Sequence, residues 1–202
     1  MRFTLRGCRV HISFYFAAIV TLMLALDKDS MAFLSFLAAL IHESGHILLY
    51  LLFDDMPSQL EFGIFGIRIT HKNAVSLSCQ QEIAVAAAGP IMNFMVVLFL
   101  FIMIIFMNSD TNSLRMAAGL NLLLGIVNFM PIEPLDGGKV LFYAIAHRKD
   151  AQYAEKAVNL CSVLFLLPLM ALGFYFALFC GYNPTLLIMC IYLCVLLVKR
   201  CH

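Results

Sequence analysis

Long apolar stretches, separated by short polar segments, run through most of the chain and limit what it can fold into. A helix needs about 20 mostly apolar residues to cross the hydrocarbon core of a bilayer. Six stretches are candidates, at residues 10–26, 31–53, 83–107, 116–130, 157–179 and 185–198. The first is only just long enough, and the last is short for a full crossing. We therefore expect an all-α integral membrane protein with about six transmembrane helices.

The composition excludes three other classes of protein. Hydrophobic residues make up 63% of the 202 residues and charged residues 12%, so there are too few charges to cover the surface of a soluble protein. Intrinsic disorder requires low hydrophobicity and a high net charge. A net charge of +1 provides no basic face for nucleic acid, which is therefore not an expected partner.

The basic residues of the loops predict the orientation in the membrane. With six crossings, one side receives Lys28 and Arg115. The other side receives ten basic residues: Arg2, Arg6, Arg9, Arg68, Lys72, Arg148, Lys149, Lys156, Lys199 and Arg200. Because basic loops stay in the cytoplasm, both termini are expected there.

One segment, residues 57–70, does not have the pattern of a helix. It is rich in residues that favour strands, and Gly63 and Gly66 interrupt it. The pattern predicts a small β-hairpin or sheet on the cytoplasmic side, directly after the second apolar stretch.

The second stretch contains the sequence His42-Glu43-Ser44-Gly45-His46, an HExxH motif. Residues four apart lie on one face of a helix, about one turn from each other, so both imidazoles can reach the same zinc ion. Glu43 lies beside them and can accept a proton from the attacking water. Ionisable groups inside a membrane span are expensive and mark functional sites. The alternative is a polar cluster that only lines the helix bundle.

A zinc hydrolase needs a third protein ligand, and the segment from Asn128 to Gly138 offers one. Pro131 and Pro134 remove helical hydrogen bonds and open the fourth apolar stretch. Asp136 follows this break and is followed by two glycines, which let other backbone approach closely. By spacing alone, Asp136 is as well explained as the N-cap of a helix.

Taken together, these motifs resemble the site-2 protease family, the M50 intramembrane zinc metalloproteases. The resemblance rests on HExxH in the second helix, Gly89-Pro90 in the third and N-x-x-P-x-x-P-L-D-G-G in the fourth. It implies one Zn²⁺ per chain, bound by His42, His46 and Asp136, with Glu43 as general base. Within the family, the chain is similar to the bacterial branch that includes the stage IV sporulation protease.

The expected organisation is one polytopic domain over residues 1–202, without a PDZ insertion or a soluble C-terminal regulatory domain. The expected function is hydrolysis of peptide bonds in or near transmembrane segments, as in regulated intramembrane proteolysis. Substrates would be transmembrane or membrane-associated proteins, with a separate regulatory membrane protein as a further partner. The expected location is a bacterial plasma membrane, with the active site opening towards the cytoplasm.

Further residues are candidates for binding substrate. Asn128 can hydrogen-bond the substrate backbone or stabilise the oxyanion, and the alternative is a polar contact between helices. An extended peptide is best bound by strand addition to an exposed sheet edge. The candidate edge residues are Leu60, Phe62, Ile64, Ile67 and Ile69. A lid over the cytoplasmic mouth explains this segment equally well.

Two other functions fit the same residues. A metal transporter could use His42, His46 and Asp136 as a transit site, but transporters usually show internal repeats, and the sequence shows none. A membrane scaffold without proteolytic activity would not need the full set of catalytic residues.

Overall fold

The computed structural model describes residues 2–5, 8–53, 59–63, 66–70, 77–106, 112–179 and 185–201. Within these ranges the chain forms seven helices and four strands. The helices are α1 (Phe14–Ala25), α2 (Met31–Leu52), α3 (Cys79–Phe106), α4 (Asn112–Phe129), α5 (Asp136–Ala146), α6 (Ala151–Phe179) and α7 (Thr185–Cys201). The strands are β1 (Arg2–Leu5), β2 (Cys8–Ile12), β3 (Gln59–Gly63) and β4 (Gly66–Thr70).

The predicted fold class, an all-α protein with about six transmembrane helices and a small hairpin, is wrong. Among the described residues, only α2, α3 and α6 contain helical stretches long and apolar enough to cross a membrane. The first predicted span fails because its beginning belongs to β2. This leaves α1 with 12 residues, about 18 Å of helix. In addition, helix α5 occupies residues that the prediction assigned to no span.

The strands form one four-stranded sheet rather than an isolated hairpin. Their order is β1-β2-β3-β4. Strand β2 pairs in parallel with β3, with Val10 opposite Leu60, and β4 pairs antiparallel with β3, with Ile67 opposite Phe62. The residues at the start of the chain therefore belong to the same sheet as those that follow α2.

By contacts within the chain, the structure divides into two compact units. The first comprises residues 1–77 and 88–125. In it, α2 and α3 approach closely at Gly45, where a Cβ atom would lie 2.6 Å from the carbonyl oxygen of Ala88. Asn93 is fully buried on α3, and its Nδ2 donates to the carbonyl of Asn121 on α4 at 3.5 Å. Small residues at such crossings are typical of helix packing in membranes.

The second unit comprises residues 78–87 and 126–202. Its apolar core is formed by Ile132, Leu166 and Leu193. Ile132 lies in the segment that joins α4 to α5, and α6 and α7 supply the two leucines. The backbone amide of Glu133 donates to Ser162 Oγ at 2.9 Å. The joining segment is thus packed and hydrogen-bonded to α6 although it is not helical.

The glycines at the start of α5 allow this segment to fold against the helix. A Cβ atom on Gly138 would lie 2.7 Å from the carbonyl oxygen of Ile132 and 2.9 Å from the amide nitrogen of Glu133. A Cβ atom on Gly137 would approach the carbonyl oxygens of Phe129 and Met130 more closely still. Backbone neighbours cannot move aside as a flexible side chain can.

We predict that Gly138→Ala lowers the free energy of unfolding by about 1–3 kcal/mol, the usual cost of overpacking. Gly119→Ala is the matched control, since this exposed glycine on α4 has nothing within 4 Å of its added Cβ. Denaturation in detergent micelles measures both variants. Equal stability of the two variants would contradict the close approach at Gly138.

Candidate metal centre

Helix α2 holds His42 and His46 on one face, one turn apart. Both side chains are buried, with 5% and 8% of their surface exposed. Their Nε2 atoms lie 3.3 Å apart, and the rings meet edge to face at an angle of 79°. Two nitrogen ligands at ~2.0–2.1 Å from a tetrahedral zinc ion are separated by about 3.3 Å. The imidazole pair therefore has the spacing that zinc requires.

Gly89 on α3 leaves the space in front of these nitrogens open. A Cβ atom on Gly89 would lie 2.8 Å from His42 Nε2 and closer still to His46 Nε2. Gly89 and Pro90 are both buried. Because a side chain would occupy the position in front of the two Nε2 atoms, only glycine is compatible with a ligand there.

Glu43 follows His42 on α2 and is partly buried. As its neighbour in a helix, it lies about 100° around the axis, so its carboxylate is next to the imidazole face without belonging to it. This placement is compatible with the predicted role of Glu43 as a proton acceptor.

Asp136 is the first residue of α5, after the break made by Pro131 and Pro134. The N-cap is Leu135, which makes no side-chain capping bond, so Asp136 does not serve as the cap. Its side chain is buried, with 8% exposed, and Oδ1 accepts a hydrogen bond from Lys139 Nζ at 2.9 Å. The positive end of the helix dipole favours a carboxylate at this position.

Among the described residues, three side chains are potential metal ligands: His42 and His46 in the first unit and Asp136 in the second. All three are buried. Two imidazoles and one carboxylate form a donor set that catalytic zinc uses, with a fourth position for water. The residues present therefore fit zinc.

The remaining predicted site residues lie on α4 and in or next to the strands. Asn128 is partly buried near the end of α4. Ile67 and Ile69 belong to β4, the last strand of the described sheet. The proposed edge was wrong for Leu60 and Phe62, because β3 has β2 on one side and β4 on the other. Ile64 lies outside the described residues.

The sequence did not show that Gly89 faces His42 and His46. The Gly89-Pro90 pair was identified as part of the family resemblance, but the sequence could not show which side chains the glycine faces. Lys139 was also left without a role, because nothing in the sequence placed its amine against Asp136. The first contact joins backbone to side chains and the second joins two side chains, and only the fold reveals them.

Comparison with known proteins finds sequences similar to this chain. The sequence model of Peptidase family M50 matches residues 108–169, which include Asn128 and Asp136. Over 172 residues, the chain is 26% identical to stage IV sporulation protein FB of Bacillus subtilis (strain 168). Over 141 residues, it is 27% identical to a zinc metalloprotease of Methanocaldococcus jannaschii. These matches cover 80% and 65% of the chain.

A solved structure has a similar fold. The structure of a site-2 protease from Methanocaldococcus jannaschii matches with a TM-score of 0.65 at 18% identity. The match covers 96% of this chain and 91% of that one. The chain is therefore similar in fold to a site-2 protease, and part of its sequence matches Peptidase family M50.

The resemblance to Peptidase family M50 and to a relative named as a zinc metalloprotease agrees with zinc as the metal. It also agrees with the apolar helices, which indicate an integral membrane protein. The matched regions span 59% and 40% of the length of the two curated relatives.

We predict that Gly89→Ala lowers the affinity for zinc about 10- to 100-fold, the range seen when groups that support metal ligands are changed. The reason is that the added methyl group occupies the space in front of both Nε2 atoms. Metal analysis of purified protein, titrated with a zinc chelator, measures the effect. Gly119→Ala should bind zinc like the unaltered chain, and a Gly89→Ala variant that does the same would contradict this role.

Proposed function

We propose that this chain is an intramembrane zinc metalloprotease that hydrolyses peptide bonds in or near transmembrane segments of its substrates. The observation that carries the proposal is the buried imidazole pair of α2, with Nε2 atoms 3.3 Å apart. The helix that bears it is apolar enough to span a membrane. A metal centre on such a helix is positioned to act on substrates within the bilayer.

Asp136 is the third ligand in this proposal. Its support is chemical: the carboxylate is buried and lies at the first turn of α5, and carboxylate oxygen is a common third donor beside two histidines. The segment before it is held by the packing of Ile132 and by the hydrogen bond from Glu133 to Ser162. That packing would limit the motion of the ligand.

Bound zinc supplies a Lewis acid that activates water and polarises the scissile carbonyl. Glu43 accepts the proton of the attacking water and then delivers it to the nitrogen of the leaving amine. Asn128 carries an amide that can donate to the substrate backbone or to the developing oxyanion. The burial of the histidines keeps their surroundings poor in bulk water, which strengthens these electrostatic interactions.

A transmembrane substrate is helical, and its backbone amides are already hydrogen-bonded within the helix. The scissile segment must therefore unwind and be held in an extended form. Strand β4 offers an edge for this purpose, and Ile67 and Ile69 are the edge residues that we retain. We further propose that both termini and the opening of the site face the cytoplasm, as the distribution of basic residues favours.

Glu43→Gln is expected to reduce cleavage at least about 100-fold, since general-base catalysis contributes roughly 10²–10⁴. It should retain zinc, because Glu43 is not a ligand. The assay co-expresses a single-span membrane substrate with either protein and measures cleavage and zinc content. Glu155→Gln, at an exposed position of α6, is the matched control.

Cleavage by the Glu43→Gln variant at the rate of the unaltered chain would contradict the protease assignment. Loss of zinc in this variant would instead make Glu43 a ligand. Asp136→Asn separates the roles further, because weaker binding of zinc is expected there, and full retention would exclude Asp136 as a ligand.

The edge strand is tested by proline at two successive positions, Ile67→Pro and Arg68→Pro. Residues of an antiparallel pair alternate in the direction of their N–H groups, so one variant removes an amide that faces β3 and the other an amide that faces outward. The variant that loses only the outward-facing amide should keep its thermal stability, which identifies it. This variant should lose cleavage about 10-fold or more and keep its zinc. Normal cleavage by that variant would exclude strand addition at β4.

A further inference from the structure

A cavity of about 580 Å³ lies in the second unit, where α5 turns into α6 beside the beginning of α3. Its lining combines basic and aromatic side chains from the turn and from α6 with residues of α3. The lining includes His147, Arg148, Lys149, Tyr153, Gln80 and Ile83. The proposed catalytic residues are not among them.

Two basic side chains at this cavity have no ion-pair partner among the described residues. Arg148 and Lys149 are exposed, and neither forms an ion pair with a described carboxylate. Lys149 Nζ lies 4.0 Å from the centre of the Tyr153 ring, a cation–π contact that keeps the ammonium group at the cavity. The amides of Arg148 and Lys149 both donate to the carbonyl of Ile145 at 2.9 Å, which orders the turn.

The neighbouring tyrosine adds no opposing charge. Burial, and after it the nearby Glu82 carboxylate, raises the pKa of Tyr143 above its ordinary value of 10.0. The phenol therefore remains neutral under physiological conditions. Two fixed positive charges at an ordered turn are suited to binding a phosphate group.

An apolar stripe begins at the same cavity and runs along α6. Tyr153, Leu160, Leu164 and Leu167 are spaced by seven, four and three residues, so they share one face of the helix. They are 53%, 70%, 65% and 59% exposed. Leu164 lies about 16 Å along the axis from Tyr153, close to the ~15 Å depth of the hydrocarbon in one leaflet.

We propose that this cavity and stripe bind an anionic phospholipid, with its phosphate at Arg148 and Lys149 and an acyl chain along Leu160, Leu164 and Leu167. Both α3 and α6 begin at the cavity and both have the length and hydropathy of membrane spans, which places the basic turn at a membrane surface. Basic pockets at this depth, between the ends of spanning helices, are suited to acidic headgroups. Free phosphate is also an anion, but it has no acyl chain that could pack along the stripe.

Native mass spectrometry of the full chain, released from neutral detergent, tests the proposal with three probes. These are phosphatidylglycerol, phosphatidylcholine with the same acyl chains, and inorganic phosphate. Phosphatidylglycerol should be retained at least about fivefold more than phosphatidylcholine. Arg148→Gln and Lys149→Gln should each abolish this preference, while Lys28→Gln, the control at an exposed lysine between α1 and α2, should preserve it.

Leu164→Ser should weaken retention of phosphatidylglycerol without changing the thermal stability of the protein. Equal retention of the two lipids, or an equal loss of preference in Lys28→Gln, would overturn the proposal. Displacement of phosphatidylglycerol by inorganic phosphate at equal concentration would assign the site to free phosphate and also overturn it. An acidic peptide that binds through Arg148 where phosphatidylglycerol does not would make the cavity a protein-binding site instead.

Discussion

The desolvation of ionisable side chains is the constraint on which the rest of this structure depends. An imidazole or carboxylate buried among apolar helices is costly unless a partner compensates it. The chain places two histidines four residues apart on α2, and glycines bring α3 close while leaving the nitrogens accessible. A divalent cation is the partner that best compensates two imidazoles and a carboxylate. Side-chain size is therefore most restricted where α3 approaches α2, at Gly45 and Gly89.

The break between α4 and α5 lowers the cost of burying the Asp136 carboxylate. A carboxylate in the middle of a long apolar helix would have no backbone donors near it, since those amides are bonded within the helix. Ending α4 at Phe129 and starting α5 at Asp136 puts the acidic group at a helix N-terminus. The non-helical backbone between them is stabilised by Ile132 in the core and by Ser162. Two prolines and two glycines thus determine where the negative charge lies.

Local patterns predicted the features that depend on local geometry. The four-residue spacing of His42 and His46 and the interruption at Pro131 and Pro134 could be interpreted because helix periodicity and proline stereochemistry act over one or two turns. The sheet could not be predicted in full, because β2 pairs with residues 50 positions later. Helix α5 was missed because Gly137 and Gly138 disfavour helix, and close packing against residues 129–133 overrides that preference. The role of Gly89 likewise depends on a neighbouring helix.

The parallel pairing of β2 with β3 has a consequence for the order in which the elements of the protein form during synthesis. Strands β1 and β2 emerge first, and their antiparallel partnership is local. Strand β3 becomes available only after α1 and α2 have been made. Non-local strand pairing forms late because a long loop must close first. The helix with the two histidines is therefore complete before the sheet can close, so translation produces the metal-binding element before the edge strand.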